Sequence, residues 1–265
     1  MQGFTRIGKG DVDLEAGGTL YPGLSYGDNE LRWGFIRKVY GILAAQIALT
    51  AIVSAVTVFY APINDTLQGS PGIALGVGFL PLVCNMPFFP FSASFSSALV
   101  FRFLVKKHSK FDLETFKKSS DERIWLHLLL GTFLTVGIVC ANTKGKIVLE
   151  ALIITSAVLV SLTGYTFWAA KKGKDFSFLG PVLFAGLLVL LLVGFIQIFF
   201  PLGSTSVAIY SGLGALIFAA YLVYDTDNLI KRFTYDEYIW ASVILYLDIL
   251  NLFLYILQLL RSSDG

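Results

Sequence analysis

The stretch YLVYDTDNLIKRFTYDEYIWASVILYLDILNLFLYIL, residues 221–257, decides the fold of this chain. It contains two long apolar runs joined by a short polar segment, and each run carries one aspartate, Asp225 in the first and Asp248 in the second. A carboxylate at mid-membrane depth costs about 2.5–3.5 kcal/mol, so a functional site is the default interpretation. If the chain turns at Asp236 and Glu237, the two aspartates are level on adjacent antiparallel helices. Two carboxylates at one depth can share a proton or bind a cation.

The composition of the whole chain is that of a membrane protein. Hydrophobic residues make up 55% and charged residues 14%, with a mean hydropathy of +0.72, whereas soluble domains contain roughly 25% charged residues. Apolar runs long enough for a span of about 20 residues lie at 39–60, 73–105, 124–141, 147–170, 178–200, 205–230 and 238–260. The sequence therefore predicts an all-α membrane protein built as a bundle of seven transmembrane helices.

The placement of Lys and Arg tests this count independently. With the N-terminus in the cytosol, seventeen of the 20 basic residues fall on the inner side, and only Lys144, Lys146 and Arg261 fall outside. This asymmetry is the one that the positive-inside rule requires, and one span more or fewer before the last would remove it. Seven spans place the C-terminus outside, although a re-entrant last helix fits the charges equally well.

Two soluble segments flank or interrupt the spans. Residues 1–31 are rich in Gly and polar residues and lack the features of a secretory signal peptide. They are predicted to be a mobile cytosolic tail before a transmembrane domain at 32–265. The second run, 73–105, is interrupted by prolines and is interpreted as one irregular span, which either lines a cavity or lies at the membrane surface. A charged cytosolic loop at 106–123 is expected to follow it.

Sequence signatures of soluble enzymes are missing from the chain. It contains no phosphate-binding Gly-rich motif, no GxSxG and no plausible triad. Cys84 and Cys140 are expected to be buried free thiols, and His108 and His127 have no metal-ligand spacing. The sequence therefore predicts no enzymatic activity and no cofactor, and the net charge of +2 indicates no nucleic-acid partner.

Two polar residues close to the first aspartate are assigned other roles. Asp227 lies about 200° around a helix from Asp225, and is therefore expected to face away from it. It is predicted either to point to the membrane interface or to pair with Lys231 at i+4. Asn228 is expected to form an interhelical hydrogen bond.

A supporting ligand is predicted beside the second aspartate, and three further carboxylates are candidates for ion entry or gating. Asn251 shares the helix face of Asp248 and can supply a neutral oxygen ligand. Glu150 lies near the outer surface, where it either snorkels to water or guards an entry route. Asp236 and Glu237, at the expected turn, are the other two candidates for entry or gating.

Several stretches resemble one family of membrane proteins. They are ELRWGFIRKVY, KGKIVLEALIITSAVLVSLTGYTFWAAKKGKDFSFLGP, IQIFFPLG, and the paired motifs YDTDN and YLDILNLF. They are similar to the Bax-inhibitor motif family, specifically to its Lifeguard branch and most of all to plant members. The resemblance covers roughly 31–60 and 140–260. It implies a seven-helix bundle in the endoplasmic reticulum or Golgi membrane that leaks calcium in a pH-dependent way and restrains cell death.

The resemblance also implies roles for individual residues. The family's aspartates that match Asp225 and Asp248 form a dyad that senses pH and binds the cation, so calcium is the implied ion. A basic residue at the cytosolic end of the family's second span latches the closed state. From about residue 83 to 123, however, this chain departs from the family's short second-to-third connection. The candidates for the latch here are Arg102, Lys106, Lys107 and Arg123.

Three classes of function follow from these observations. A pH-sensitive calcium leak channel or exchanger explains the two carboxylates, with calcium ions and the lipid bilayer as its partners. A regulatory membrane protein that acts through other membrane cell-death regulators needs no ion transport. An intramembrane aspartyl protease also uses two aspartates, but the second one here lies in YLDIL and not in a GLGD-type motif, so this class is disfavoured.

Overall fold

A computed structural model describes residues 19–60, 132–133, 135–200 and 203–264, and these residues are helical apart from short connections. The helices are α1 (Tyr26–Phe59), α2 (135–141), α3 (Gly145–Lys171), α4 (Leu179–Phe199), α5 (Ser204–Lys231) and α6 (Tyr238–Ser263). All of them except α2 are long and apolar enough to cross a membrane. They correspond to the first, fourth, fifth, sixth and seventh predicted spans, and α2 lies at the end of the third.

The remaining predictions for the middle of the chain fall outside the described residues. These are the irregular second span, the 106–123 loop, the latch candidates Arg102, Lys106, Lys107 and Arg123, and the residues Cys84, His108 and His127. Cys140, on α2, is a buried free thiol, as predicted.

The last helix, α6, is the centre of the bundle. Every residue from 245 to 257 is buried, and α1, α3 and α5 pack against α6, with the largest interface formed by α5. The outer helices leave large apolar side chains exposed, such as Val160 at 72%, Val182 at 66% and Leu216 at 68%. A helix that is apolar on all sides belongs in an interior, and apolar surface this extensive suits contact with lipid.

Charged residues mark the two ends of the bundle. At one end Lys231 donates a hydrogen bond to the carbonyl of Lys174; we call this the connection end because it holds the α5–α6 connection, residues 232–237. At the opposite end Lys144 forms an ion pair with Asp264. These positions match the division of charges predicted from the seven-span topology. Helix α6 runs without interruption from one end to the other, and it is long and apolar enough to cross a membrane.

Residues 19–25 pack against the bundle before α1 begins. Leu20 is 1% exposed, and its backbone N–H donates to Oδ1 of Asn29 at 3.0 Å. The hydroxyl of Ser25 caps α1 by accepting a hydrogen bond from a backbone N–H of the first turn. Helix α1 therefore begins at Tyr26, within the segment that the sequence assigns to a cytosolic tail.

Candidate functional site

Asp225 and Asp248 both lie in the interior of the bundle. They are 7% and 0% exposed, and they lie on α5 and α6, the two helices that share the largest interface. At a rise of 1.5 Å per residue, Asp225 is about 9 Å from the end of α5 and Asp248 about 15 Å from the start of α6. Each aspartate thus lies in the half of its helix that is nearer the connection end, but Asp248 lies about 6 Å farther along its helix than Asp225, so the two are not level as predicted.

An asparagine lies three residues after each of these aspartates. Nδ2 of Asn228 donates to Oδ1 of Asp225 at 3.3 Å, so this amide bonds along its own helix and not to another helix as predicted. Nδ2 of Asn251, a residue 2% exposed, donates to the carbonyl of Leu247 at 2.7 Å. This bond directs the amide nitrogen into the helix backbone and keeps the side-chain oxygen as an acceptor one turn from Asp248. The repeated D-x-x-N spacing is the sequence signal that could have identified Asn228.

Asp227 belongs to a different network from Asp225. Its carboxylate is 1% exposed and lies 2.5 Å from Nζ of Lys231, which confirms the predicted i, i+4 pair. The backbone N–H of Phe176 also donates to Oδ2 of Asp227 at 3.3 Å. Because Phe176 lies in the loop between α3 and α4, Asp227 anchors that loop to the end of α5.

A second ion pair lies at the same junction. Arg232 is 3.6 Å from Asp175 and donates to the hydroxyl of Ser177. Hydrogen bonds from the Ser177 hydroxyl and backbone N–H lower the pKa of Asp175, and the charges of Arg232 and Lys231 lower it further. Pairs exposed to this degree contribute about 1 kcal/mol or less. The buried Asp227 is therefore the stronger anchor of the loop.

Helix α1 reaches the α5–α6 connection through a buried guanidinium. Arg32 is 9% exposed, and its Nη1 donates to the carbonyl of Phe233 at 2.5 Å. Its guanidinium carbon lies 4.9 Å from the centre of the Tyr235 ring and 5.7 Å from that of Phe35. The sequence analysis counted Arg32 only among the inner charges, because nothing in the local pattern ELRWGFIRKVY distinguishes it from the exposed Arg37.

The carboxylates considered for entry or gating lie outside this interior. Glu150 has a side chain 46% exposed and lies 3.7 Å from Lys146 near the start of α3, which agrees with the snorkelling alternative. Asp236 is exposed in the connection. The side chain of Glu237 accepts a hydrogen bond from the backbone N–H of Thr234 at 2.8 Å, so this carboxylate is bonded within the connection. The backbone N–H of Glu237 donates to the carbonyl of Thr234 at 3.1 Å, so the turn spans residues 234–237 and includes Asp236 and Glu237, as predicted.

The ligand set available to a cation is small. Among the residues that the structure describes, no group of three or more His, Cys, Asp or Glu side chains is placed to hold a metal ion. A cation at Asp225 and Asp248 would have two carboxylates and neutral oxygens such as that of Asn251. Because calcium affinity rises with the number of charged ligands, such a set suits a transient occupant better than a tightly held one.

Comparison with known proteins shows similarity along nearly the whole chain. Residues 32–265 match the model of the family Bax1-I, described as "Inhibitor of apoptosis-promoting Bax1". The "BI1-like protein" of Arabidopsis thaliana is 55% identical, over 100% of this chain and 96% of the relative. "Protein LIFEGUARD 4" of the same plant is 46% identical, over 97% and 96%. The "Golgi anti-apoptotic protein" of Vaccinia virus (strain Lister) is 34% identical, over 88% and 87%.

Proposed function

The chain belongs to the Bax1-I family of inhibitors of apoptosis-promoting Bax1, and on that basis we propose that it is a pH-sensitive calcium leak channel or exchanger that restrains cell death. The cell-death role is supported by the description of the family and by the name of the viral relative. That name also motivates the Golgi, beside the endoplasmic reticulum, as the membrane of residence. The proposal assigns no enzymatic activity and no cofactor, and calcium is the cargo.

The observation that carries the ion-transport part is the burial of Asp225 and Asp248 on two packed helices. Two carboxylates in a low-dielectric interior oppose each other when both are ionised. The pair can therefore hold either a shared proton or a cation, which is the basis of the proposed pH sensitivity. In this mechanism Asn251 or backbone carbonyls complete the oxygen shell.

Protonation of the pair also alters how the two helices pack. When both carboxylates are ionised and no cation is bound, like charges oppose each other in the interface between α5 and α6. A shared proton or a bound calcium ion removes that repulsion. Flux is therefore coupled to pH through the same two side chains that bind the ion.

The test is calcium flux into proteoliposomes that contain the purified full chain, measured across a pH series. Asp225→Asn and Asp248→Asn should each flatten the pH dependence, because either substitution removes the shared proton. Asp264→Asn is the matched control, since this carboxylate is exposed at the opposite end of the bundle, and it should keep the profile of the natural chain. Identical profiles for the natural chain and both dyad variants would rule the mechanism out.

The topology is part of the proposal. We infer seven spans with the connection end in the cytosol, because the basic residues gather there. In a chain whose Cys84 and Cys140 are replaced by serine, a cysteine at exposed Lys172 should react with an impermeant reagent from the cytosolic side of sealed microsomes. A cysteine at Lys146, 86% exposed at the opposite end, should react only after permeabilisation. Reaction of both from one side contradicts the topology.

A second candidate function is regulation through protein partners without ion transport. The family description and the name of the viral relative refer to inhibition of apoptosis and mention no ion, which is the observation that favours it. Such a protein would bind other membrane cell-death regulators. It would suppress cell death equally well with Asp225→Asn and Asp248→Asn, whereas a leak channel would show altered suppression of cell death together with a flattened pH profile of flux.

A further inference from the structure

We propose that Arg32 is a positioning residue that holds the α5–α6 connection against α1 and thereby keeps Asp225 and Asp248 in register. The inference rests on the proposed function at that pair of aspartates. It concerns a residue of the first helix that touches neither aspartate. Its effect is transmitted through the connection, which joins the helix of one aspartate to the helix of the other.

The contact of Arg32 with Phe233 places the charged guanidinium of α1 beside the C-terminal end of α5. Phe233 is the second residue after α5, and Nη1 of Arg32 donates to its carbonyl at 2.5 Å. The C-terminal end of a helix carries partial negative charge on its unpaired carbonyls, so a cation is favourable there. A hydrogen bond with a charged donor is roughly twice as strong as a neutral one. The guanidinium therefore fixes where α5 ends relative to α1.

Aromatic rings hold the guanidinium from the sides. Tyr235, within the connection, and Phe35, one turn along α1, lie 4.9 and 5.7 Å from the guanidinium carbon of Arg32. The two rings also meet edge to face, with centroids 6.1 Å apart. A planar guanidinium between two rings has a defined orientation that a lysine ammonium does not reproduce. Arg32 therefore holds the middle of the connection as well as its start.

The same helix also meets the beginning of α6. Nζ of Lys38 lies 3.2 Å from the centre of the ring of Tyr238, the first residue of α6. Helix α1 thus contacts the connection and then the start of α6 in succession. Arg32 is the buried member of this series, whereas Lys38 is exposed. Because long helices move as rigid rods, a shift at the connection changes the relative depth of Asp225 and Asp248.

A distance measurement tests the contact without relying on flux. Spin labels are placed at exposed Leu31 and Asp236 in the full chain, reconstituted in lipid nanodiscs, with Cys84 and Cys140 replaced by serine. Arg32→Gln should broaden the distribution of distances between the labels. Arg37→Gln, an exposed arginine on the same helix, should leave it as in the natural chain. An unchanged distribution in the Arg32 variant overturns the proposal.

Flux measurements then test the effect on the aspartates. Loss of a hydrogen bond with a charged donor changes an equilibrium about tenfold or more, so Arg32→Gln should change the flux at a given pH by about that factor and displace its pH profile. Arg32→Lys should recover only part of the effect, because it keeps the charge without the planar fork. Tyr235→Leu, which removes one ring and leaves no buried charge unpaired, tests the same contact if Arg32→Gln does not fold.

The outcomes separate this inference from the proposed function. A broader distance distribution together with a displaced pH profile supports the role of Arg32. A broader distribution with the natural pH profile, in a chain where Asp225→Asn alters that profile, overturns the claim that Arg32 keeps the aspartates in register. If Asp225→Asn and Asp248→Asn both keep the natural pH profile of flux, the proposed function fails, and the claim about register fails with it. The distance measurement still decides whether Arg32 holds the connection.

Discussion

Replacing Gly214 with alanine should weaken the packing of α5 on α6. A Cβ at this position would lie 2.3 Å from Cδ1 and Cε1 of the Tyr255 ring and 2.7 Å from its Cζ. Tyr255 is fully buried and cannot move aside freely. Its hydroxyl lies 3.2 Å from that of Tyr210, and its ring stacks on Phe218 with centroids 5.6 Å apart.

The size of the effect follows from two opposing terms. Forcing an extra methyl into a packed core costs about 1–3 kcal/mol. Alanine is a better helix former than glycine by roughly 0.8–1.0 kcal/mol, which offsets part of that cost. The two terms leave a net cost of about 0–2 kcal/mol, and the 2.3 Å approach to a buried ring places Gly214→Ala at the upper end, so we expect it to lower the free energy of unfolding by about 1–2 kcal/mol. Gly212→Ala is the matched control, because nothing lies within 4 Å of a Cβ at that position; it should leave stability unchanged or slightly raised.

The assay is unfolding of the detergent-solubilised full chain, followed by the loss of its monodisperse folded peak after heating. Gly214→Ala should unfold at a lower temperature than the natural chain and Gly212→Ala should not. In a Tyr255→Leu background the cost of Gly214→Ala should largely disappear, since the obstructing ring is gone. Equal midpoints for the two alanine variants, or an undiminished cost in the leucine background, would refute the reasoning.

Three further predictions concern charged residues. Asp227→Asn should lower the free energy of unfolding by about 2 kcal/mol, because it breaks a buried pair with Lys231, yet it should keep the pH profile of calcium flux; a flattened profile would place Asp227 in the dyad. The lowered pKa of Asp175 means that its contribution to stability is present above its ordinary pKa of 3.8 and is lost as the pH falls through its lower folded value. Unfolding midpoints taken down to acidic pH should therefore show less acid dependence in Asp175→Asn, whose midpoint lies slightly below that of the natural chain at neutral pH and converges with it at acidic pH; an unaltered acid dependence would contradict this. Lys144→Gln should leave the unfolding midpoint unchanged within error, because its pair with Asp264 is exposed, and a clear loss of stability would show that this pair is structural.

The positions of the spans and of their charges were accessible from local patterns. Apolar length alone identifies a transmembrane helix, because no backbone polar group can remain unpaired in lipid. Helices α3 to α6 accordingly lie within a few residues of the predicted runs. The i, i+4 pair of Asp227 with Lys231 was predictable for a similar reason, since helix geometry alone brings those side chains together. The apolar run did not predict where α1 begins, because the first turns of this helix consist of polar sequence.

The sequence by itself thus determined which segments are helices, that two of them carry an interior aspartate, and which charges share an end of the bundle. Only the tertiary structure decided which of two residues of the same type, on the same helix, is buried against a neighbouring helix. It buries Arg32 and exposes Arg37, and it presses Gly214 but not Gly212 against another helix. The physical reason is that hydropathy and helical period are properties of one segment. The face that each helix turns to its neighbours depends instead on how all the side chains of the bundle pack together.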